Sequence, residues 1–437
     1  MELNLESFWL PFTPNKLFKT LPKAKIIDRA DGMYYYTIHG DKILDAHGGL
    51  WCCNAGHNRK EIVEAIQQQA SKLDFVPSYQ MSHPGTFLLA EKLVSMLSND
   101  LQYVFFTNSG SEAVETSLKI ALAYWRLQGQ KNKKIIIGRD RAFHGTGFGG
   151  MSVGNLTTTK QQFNNFLPEV LHLSHTHNLE KNSFSKGQPV HGIELADELL
   201  KFINVHGAEN IAAVILEPIS GTGGVLIPPV GYLEKIRKIC TENDILLIFD
   251  EVITGFGRLG KPFAVNYFGV EPDMMCLAKG LTSGTVPMGA TMINKNIYNS
   301  FMDLEGIELW HGYTYSGHPL ACAAALATLD VYQKENLLNT DQELIRYWEE
   351  GLHSLKGEKH IIDIRNIGLL GAIELECKEN NPVSRAIETF QKMFYKQNCY
   401  VRITGGNILT MSPPLIINKF EIDKIISSFR LVLKNID

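Results

Sequence analysis

The 437-residue chain has no apolar run of 18 residues, so no membrane-spanning helix is expected. Its first ten residues, MELNLESFWL, carry neither a basic stretch nor an apolar core, so no signal peptide is expected. An excess of one charge is missing too. With 42 Lys and Arg against 46 Asp and Glu, the formal net charge is −4, which leaves no electrostatic footprint for nucleic acid. The one basic cluster, Lys131-Asn132-Lys133-Lys134, is short and reads as a solvated loop before a strand. Cysteine is sparse: Cys52, Cys53, Cys240, Cys276, Cys322, Cys377 and Cys399 form an odd set without C-x-x-C spacing. That pattern argues against a disulfide framework or a zinc site and for reduced thiols in a cytoplasmic protein. Neither H-E-x-x-H nor a compact His/Asp cluster is visible, so no metal is expected.

What is present is ordinary for a globular enzyme, at 44% hydrophobic and 20% charged residues, and the length suggests two or three domains. The middle alternates short apolar runs with helical patterns, which predicts an α/β fold with a mostly parallel central sheet. Expected strands are Tyr103–Phe106, Lys134–Ile137, Ala212–Leu216, Ile245–Phe249 and Met288–Ile293, with helices over Ser111–Gln128 and Tyr232–Thr241. Past Leu337 the pattern changes to a helix (Asp341–Leu355), two strands (Ile361–Arg365, Leu369–Glu376), a helix (Pro382–Gln397), a hairpin (Tyr400–Met411) and a closing helix (Lys419–Asn435). The division expected is a large domain over 61–336 and a smaller α+β domain built from 337–437 together with the short sheet of 1–60.

Four stretches carry chemistry. The strand ending LLIFD delivers Asp250 to its carboxyl end, where open α/β sheets bind ligands, although a lone acid there also reads as a cap. Glu217, in AAVILEPISGTGG, repeats the arrangement. Lys279 stands 29 residues after Asp250, directly behind Met274-Met275-Cys276-Leu277-Ala278. Burial favours the neutral form of such a lysine, and a neutral amine attacks aldehydes. The segment FFTNSGSEAVETSLKIALAYW places Ser109-Gly110-Ser111 at a helix N-terminus, which is both a good capping sequence and a phosphate-binding site. Lysine, strand-end carboxylate and phosphate cradle together are what pyridoxal phosphate (PLP) requires. Gly145-Thr146-Gly147-Phe148-Gly149-Gly150 spells G-x-G-x-x-G but does not directly follow an expected strand, so it reads as a glycine-rich loop near a ligand rather than a dinucleotide site.

These motifs resemble those of the class III (ω-) aminotransferases, PLP enzymes of fold type I. The resemblance covers essentially the whole chain, from FWLPFTPNK through GLWCCNAGH, TNSGSE, FHGTGFGGMSVG, IFDEVITGFGRLG and CLAKGLTSG to HGYTYSGHPLACAAALATLD and VRITGGNILTMSPPL. LWCCNAGH, HGYTYSGHPLA and VRITG are most similar to the ω-amino acid–pyruvate (β-alanine–pyruvate) branch. Other class III activities, on adenosylmethionine-8-amino-7-oxononanoate, 4-aminobutyrate, taurine or polyamines, are the alternative. A non-catalytic PLP-binding protein is disfavoured, because no basic patch or added DNA-binding segment accompanies the motifs.

The resemblance implies a role for each matching position. Lys279 carries the cofactor as a Schiff base and shuttles the proton, and Asp250 pairs with the pyridine nitrogen. Val252 and Phe143 cover the ring faces, His144 and Glu217 lie beside the cofactor, and Ser109, Gly110 and Ser111 hold the phosphate. Tyr313 and Thr314 reach the phosphate of a neighbouring subunit, which implies a homodimer or tetramer. Trp51, Cys52, Tyr79 and Thr222 line the substrate pocket, and Arg402 grips a substrate carboxylate. Arg365 is a structural residue of the smaller domain. Phe143 departs from the family, which most often has Tyr-His-Gly where this chain has Phe143-His144-Gly145; phenylalanine still stacks on a ring but offers no hydroxyl.

Overall fold

The computed structural model describes residues 3–21, 25–97, 100–163, 167–379 and 381–436. Near the start lie β1 (Ile27–Asp31), β2 (Tyr34–Thr37) and β3 (Lys42–Asp45). The long middle supplies β4 (Leu101–Thr107), β5 (Ile135–Arg139), β6 (Val170–Leu173), β7 (Ile211–Leu216), β8 (Leu246–Asp250), β9 (Met274–Leu277) and β10 (Gly289–Asn294). Last come β11 (Ile361–Ile367), β12 (Leu370–Leu375), β13 (Cys399–Tyr400), β14 (Arg402–Thr404) and β15 (Ile408–Met411). The helices used below are α1 (Gly110–Leu127), α2 (Tyr232–Glu242) and α3 (Pro319–Lys334).

Strands β4 to β10 form one sheet in the order β4-β10-β9-β8-β7-β5-β6. β6, β5, β7, β8 and β9 run parallel, and β10 lies antiparallel between β9 and β4. Every residue of β7, β8 and β9 is buried, which explains why these strands read as continuous apolar runs. Successive side chains feed opposite faces. Leu247, Phe249, Met275 and Leu277 pack into one core with residues of α2 and α3, while Leu246, Ile248, Met274 and Cys276 pack into another with α1. The fold is therefore α/β around a mostly parallel sheet.

A third core joins Met33, Leu44 and Ala46 to Trp348, Leu352, Ile373, Leu409 and Phe429. Its backbone link is the parallel pairing of β3 with β13, in which Cys399 faces Leu44 and Tyr400 faces Asp45. Tyr400 thus leaves the expected hairpin; β14 and β15 alone form it, in the sheet β11-β12-β15-β14. Among the described residues no helix is long and apolar enough to cross a membrane.

Several expectations need correction. Strands β6 and β9 were not foreseen; β9 is the apolar approach to Lys279 itself. Lys133 is not solvated. It is 3% exposed, its ammonium donates to the carbonyls of Ala208, Ile211 and Asp244, and it lies 4.3 Å from the Trp125 ring centroid. Carbonyls and an aromatic face replace its water. Compact acid–histidine clusters also exist. Asp45, Cys53 and His57 meet in space, as do His177, Asp363 and Glu374. The first set comes from a span of thirteen residues, whereas the second joins His177 to two neighbouring strands far along the chain. Their charges are already engaged: Asp45 accepts from the His57 ring at 2.8 Å, and Arg365 pairs with Asp363 at 2.5 Å and Glu374 at 2.8 Å.

Arg365 also donates to the Gly224 carbonyl at 2.9 Å, so this network ties β11 and β12 to the loop after β7. Burial would push the Glu374 carboxyl up, but His177 and Arg365 outweigh it and hold the carboxyl down at about 2. A depressed carboxyl contributes stability above its unfolded range, and that contribution drains away as pH falls from 4.5 toward about 2. Glu374→Gln is expected to cost about 3 kcal/mol of stability at neutral pH. Urea unfolding of both proteins across this pH range should show the difference shrinking in acid; a constant difference would refute the linkage.

Candidate active site

The carboxyl ends of the central strands open onto one cavity of about 310 Å³, within the range of small-molecule sites. β8 ends on Asp250, which lies opposite Cys276 of β9, and Lys279 follows three residues later. β7 leads directly into Glu217, β4 into Ser109, and β5 into the segment holding Phe143 and His144. Ser109, Gly110, Ser111, Phe143, His144 and Glu217 line the cavity, together with Asp250, Val252 and Lys279.

Asp250 is 5% exposed. One of its oxygens accepts from the Val252 amide at 3.0 Å and the other from the His144 ring Nδ1 at 2.8 Å. An ionised carboxylate only accepts, so Nδ1 carries the proton. The opposite ring nitrogen, Nε2, is buried without a partner. Lys279 begins a short 3-10 turn with φ of 43°, a left-handed conformation that is strained for a side chain of this size. No hydrogen bond or ion pair holds its amine among the described residues. Burial lowers its pKa, while the carboxylates of Asp250 and Glu217 work the other way. The result is an amine held near two acids and tied to neither.

Glu217 is a clamp. Its carboxylate accepts from the amides of Phe143 at 2.9 Å and Gly221 at 3.0 Å and from the Ser220 hydroxyl at 3.1 Å. Burial raises its pKa despite the opposing influence of His144, and Asp250 raises it further. At the other end of the cavity, the Ser109 hydroxyl caps α1 by accepting from the Glu112 amide at 3.2 Å. A Cβ on Gly110 would stand 2.8 Å from a Val252 methyl, and one on Gly145 would stand 2.5 Å from the Ser111 hydroxyl. Two glycines thus let the start of an 18-residue helix reach the cavity, where its unpaired amides and dipole favour an anion.

Other expected site residues lie outside this lining. Tyr313 donates from its hydroxyl to the Glu112 carbonyl at 3.3 Å, and Thr314 is exposed. Tyr79 is 57% exposed and borders a second, wider groove with Gly312. Thr222 sits in the loop after Glu217, beside the clamped Gly221. Trp51 is buried against the His47 ring at 4.4 Å, and the Cys52 sulfur abuts Gly284 of the cavity wall. Arg402 is half-buried on β14 and bonded to the Tyr400 side chain.

Sequence reasoning missed His47 and Arg258. His47 feels the charges of Arg402, Arg258 and Lys279, and burial keeps it neutral. Arg258 is fully buried, reaching the Ser412 carbonyl at 2.9 Å and Asn54 at 2.6 Å. It lies in IFDEVITGFGRLG, a stretch that carries the family resemblance without marking this residue out.

The profile of the aminotransferase class-III family matches residues 19–433. The chain belongs to this family. It is 50% identical to an omega-aminotransferase of Caulobacter vibrioides, over 99% of this chain and 98% of that one. It is 46% identical to a beta-alanine–pyruvate aminotransferase of Pseudomonas aeruginosa, over 100% and 97%. An amine transaminase from an uncultivated Pseudomonas species, solved with PLP bound, superposes with a TM-score of 0.90 at 33% identity, covering 98% of this chain and 99% of that one.

This class-III aminotransferase is a transaminase, and PLP is the cofactor of its family. The cavity fits that group on its own chemistry: an unpaired amine for an aldehyde, a buried carboxylate for a ring nitrogen, a helix start for a phosphate, and apolar Val252 and Phe143 for a planar ring. When bound, PLP supplies the aldehyde that takes up an amino group and a ring that draws electrons from the amine carbon. Lys279→Ala is expected to abolish turnover and to leave no cofactor attached after borohydride reduction, read by intact-protein mass. A reduced adduct on the variant would overturn the assignment of Lys279.

Proposed function

We propose that this transaminase moves the amino group of an ω-amino acid resembling β-alanine, or of an amine, to pyruvate, giving a semialdehyde or related carbonyl product and alanine. The observation that carries this reading is Arg402, a half-buried guanidinium with no carboxylate partner among the described residues. It shares His47 as an electrostatic neighbour with Lys279. A guanidinium binds a carboxylate through paired hydrogen bonds, and a long flexible side chain can meet both a remote carboxylate and one beside the carbonyl. The name of the Pseudomonas aeruginosa relative supports the same donor and acceptor, and that of the Caulobacter relative supports ω-amino transfer.

In this reading Lys279 Nζ would hold the cofactor through its aldehyde carbon and would carry the proton taken from the substrate carbon. Asp250, steadied by His144, keeps the ring nitrogen protonated. Ser109, Gly110 and Ser111 bind the phosphate, Val252 and Phe143 flank the ring, and Glu217 fixes the segment that bears Phe143. Trp51, Cys52, Tyr79 and Thr222 shape the substrate's path.

Residues 61–336 form the cofactor-binding domain, and 1–60 with 337–437 form the second. A homodimer or higher oligomer completes the site, with Tyr313 and Thr314 serving the partner's phosphate. Their position outside this chain's own cavity supports that role, as do the exposed Tyr79, Met81 and Phe87 along the adjoining groove. Seven free thiols agree with a cytoplasmic location.

A steady-state panel of β-alanine, 4-aminobutyrate, putrescine and 1-phenylethylamine against pyruvate and 2-oxoglutarate tests the assignment. Pyruvate-dependent loss of β-alanine is expected. Good 2-oxoglutarate turnover without it would sink this reading in favour of another class III activity. Arg402→Ala is expected to lower kcat/KM for β-alanine by about a hundredfold, the scale of a lost charged contact, and for 1-phenylethylamine far less. Equal losses would exclude a carboxylate grip.

A further inference from the structure

Cys52 and Cys53 are adjacent in sequence, and their sulfurs lie 3.8 Å apart. Two glycines from separate segments close on the pair. A Cβ on Gly49 would stand 2.9 Å from the Cys53 sulfur and 3.2 Å from that of Cys52. A Cβ on Gly284 would stand 3.0 Å from Cys52 and 3.3 Å from Cys53. Gly284 also lines the cavity of Lys279, so a small solute in that cavity has a short route to the Cys52 sulfur. Only glycine leaves room for both sulfurs, and nothing in the transamination chemistry requires two.

We propose that Cys52 and Cys53 form an oxidation-sensitive dithiol, which a peroxide closes to a vicinal disulfide that slows turnover. The two sulfurs are electrostatically unlike. The Cys52 thiol is held below the usual range, chiefly by the hydrogen bond from Cys53, against the effect of burial and with help from the Leu50 backbone and the cations of Lys279 and Arg258. The Cys53 thiol is raised by the same bond and by burial. Cys52 is also the less buried of the two and the nearer to Gly284 of the cavity wall, which makes it the attacking thiolate and Cys53 the resolving thiol.

The Cys52 thiolate attacks one peroxide oxygen; the O–O bond breaks, hydroxide leaves, and the sulfur becomes a sulfenic acid. That hydroxide takes the Cys53 proton as water. The Cys53 sulfur then attacks the Cys52 sulfur, expelling a second hydroxide, which leaves as water with the proton Cys52 released at the outset. Two thiols and one hydrogen peroxide become one disulfide and two waters, the sulfurs oxidised and the peroxide reduced. Closing the bond brings the sulfurs together by about 2 Å. That movement pulls on the segment bearing Trp51, which approaches Arg258 at Gly48 and the cavity wall at Cys52.

This inference is independent of which donor the enzyme prefers, because its main readout is chemical. Trypsin releases Ile43–Arg59, which contains both cysteines and no others. Holoenzyme treated with hydrogen peroxide and then iodoacetamide should yield this peptide lighter by two hydrogens and free of alkylation. Dithiothreitol should restore two alkylation sites. Turnover with any accepted amine should fall by about tenfold and recover on reduction, as expected from a small displacement of substrate-positioning residues. Cys53→Ser should keep the untreated rate and, under peroxide, give a Cys52 product heavier by one oxygen that dimedone traps; Cys53→Ala repeats the comparison if the serine variant misfolds. Two alkyl groups on the peroxide-treated wild-type peptide would overturn the proposal, as would a disulfide that leaves turnover unchanged.

Discussion

An amine that must stay unpaired beside two carboxylates is the constraint on which the rest of this structure depends. In the role proposed for it, Lys279 cannot be allowed a salt bridge, because a paired ammonium neither attacks a carbonyl nor accepts a proton. The solution is to occupy the acids elsewhere. Asp250 is engaged by His144 and the Val252 amide, and Glu217 by three donors of its own. Burial then disfavours the ammonium without any group being left to neutralise it directly.

The same constraint explains the architecture around the cavity. Parallel strands bring residues from β4, β5, β7, β8 and β9 to one edge, although the segments between them hold many tens of residues. The loops that follow these strands are held by buried polar contacts rather than by apolar packing alone. Glu217 pins the segment of Phe143, Arg365 pins the loop at Gly224, and Arg258 ties the Asn54 region to the strand end at Ser412. Each such group is held by more than one polar partner, although Arg258 Nε and one Arg365 nitrogen are buried without one, and these contacts fix the loops around the cavity.

Much of this was legible in the chain. Apolar runs bounded by turns located five central strands, because strands buried on both faces leave an unbroken hydrophobic record. Asp250, Glu217, Lys279 and the Ser109–Ser111 turn stood out because charges and glycines at such ends have few bland explanations when they occur together. Arg258 and His47 were not legible. Their importance comes from what surrounds them, and neither residue lies in a local pattern that periodicity can detect. Lys133 misled for the same reason: three carbonyls and the Trp125 ring, contributed by distant segments, turned an apparent surface lysine into a buried one.

By itself the sequence determined the α/β alternation, the strand ends that bear functional groups, and the family, since these depend on local pattern and residue type. Tertiary structure alone decided which acids are satisfied, which amine is free, where Arg402 stands relative to Lys279, and that two glycines leave room for a pair of sulfurs. Those outcomes depend on distances of a few ångströms between residues hundreds of positions apart. Desolvation and hydrogen bonding are set by such neighbours, and only the folded chain supplies them.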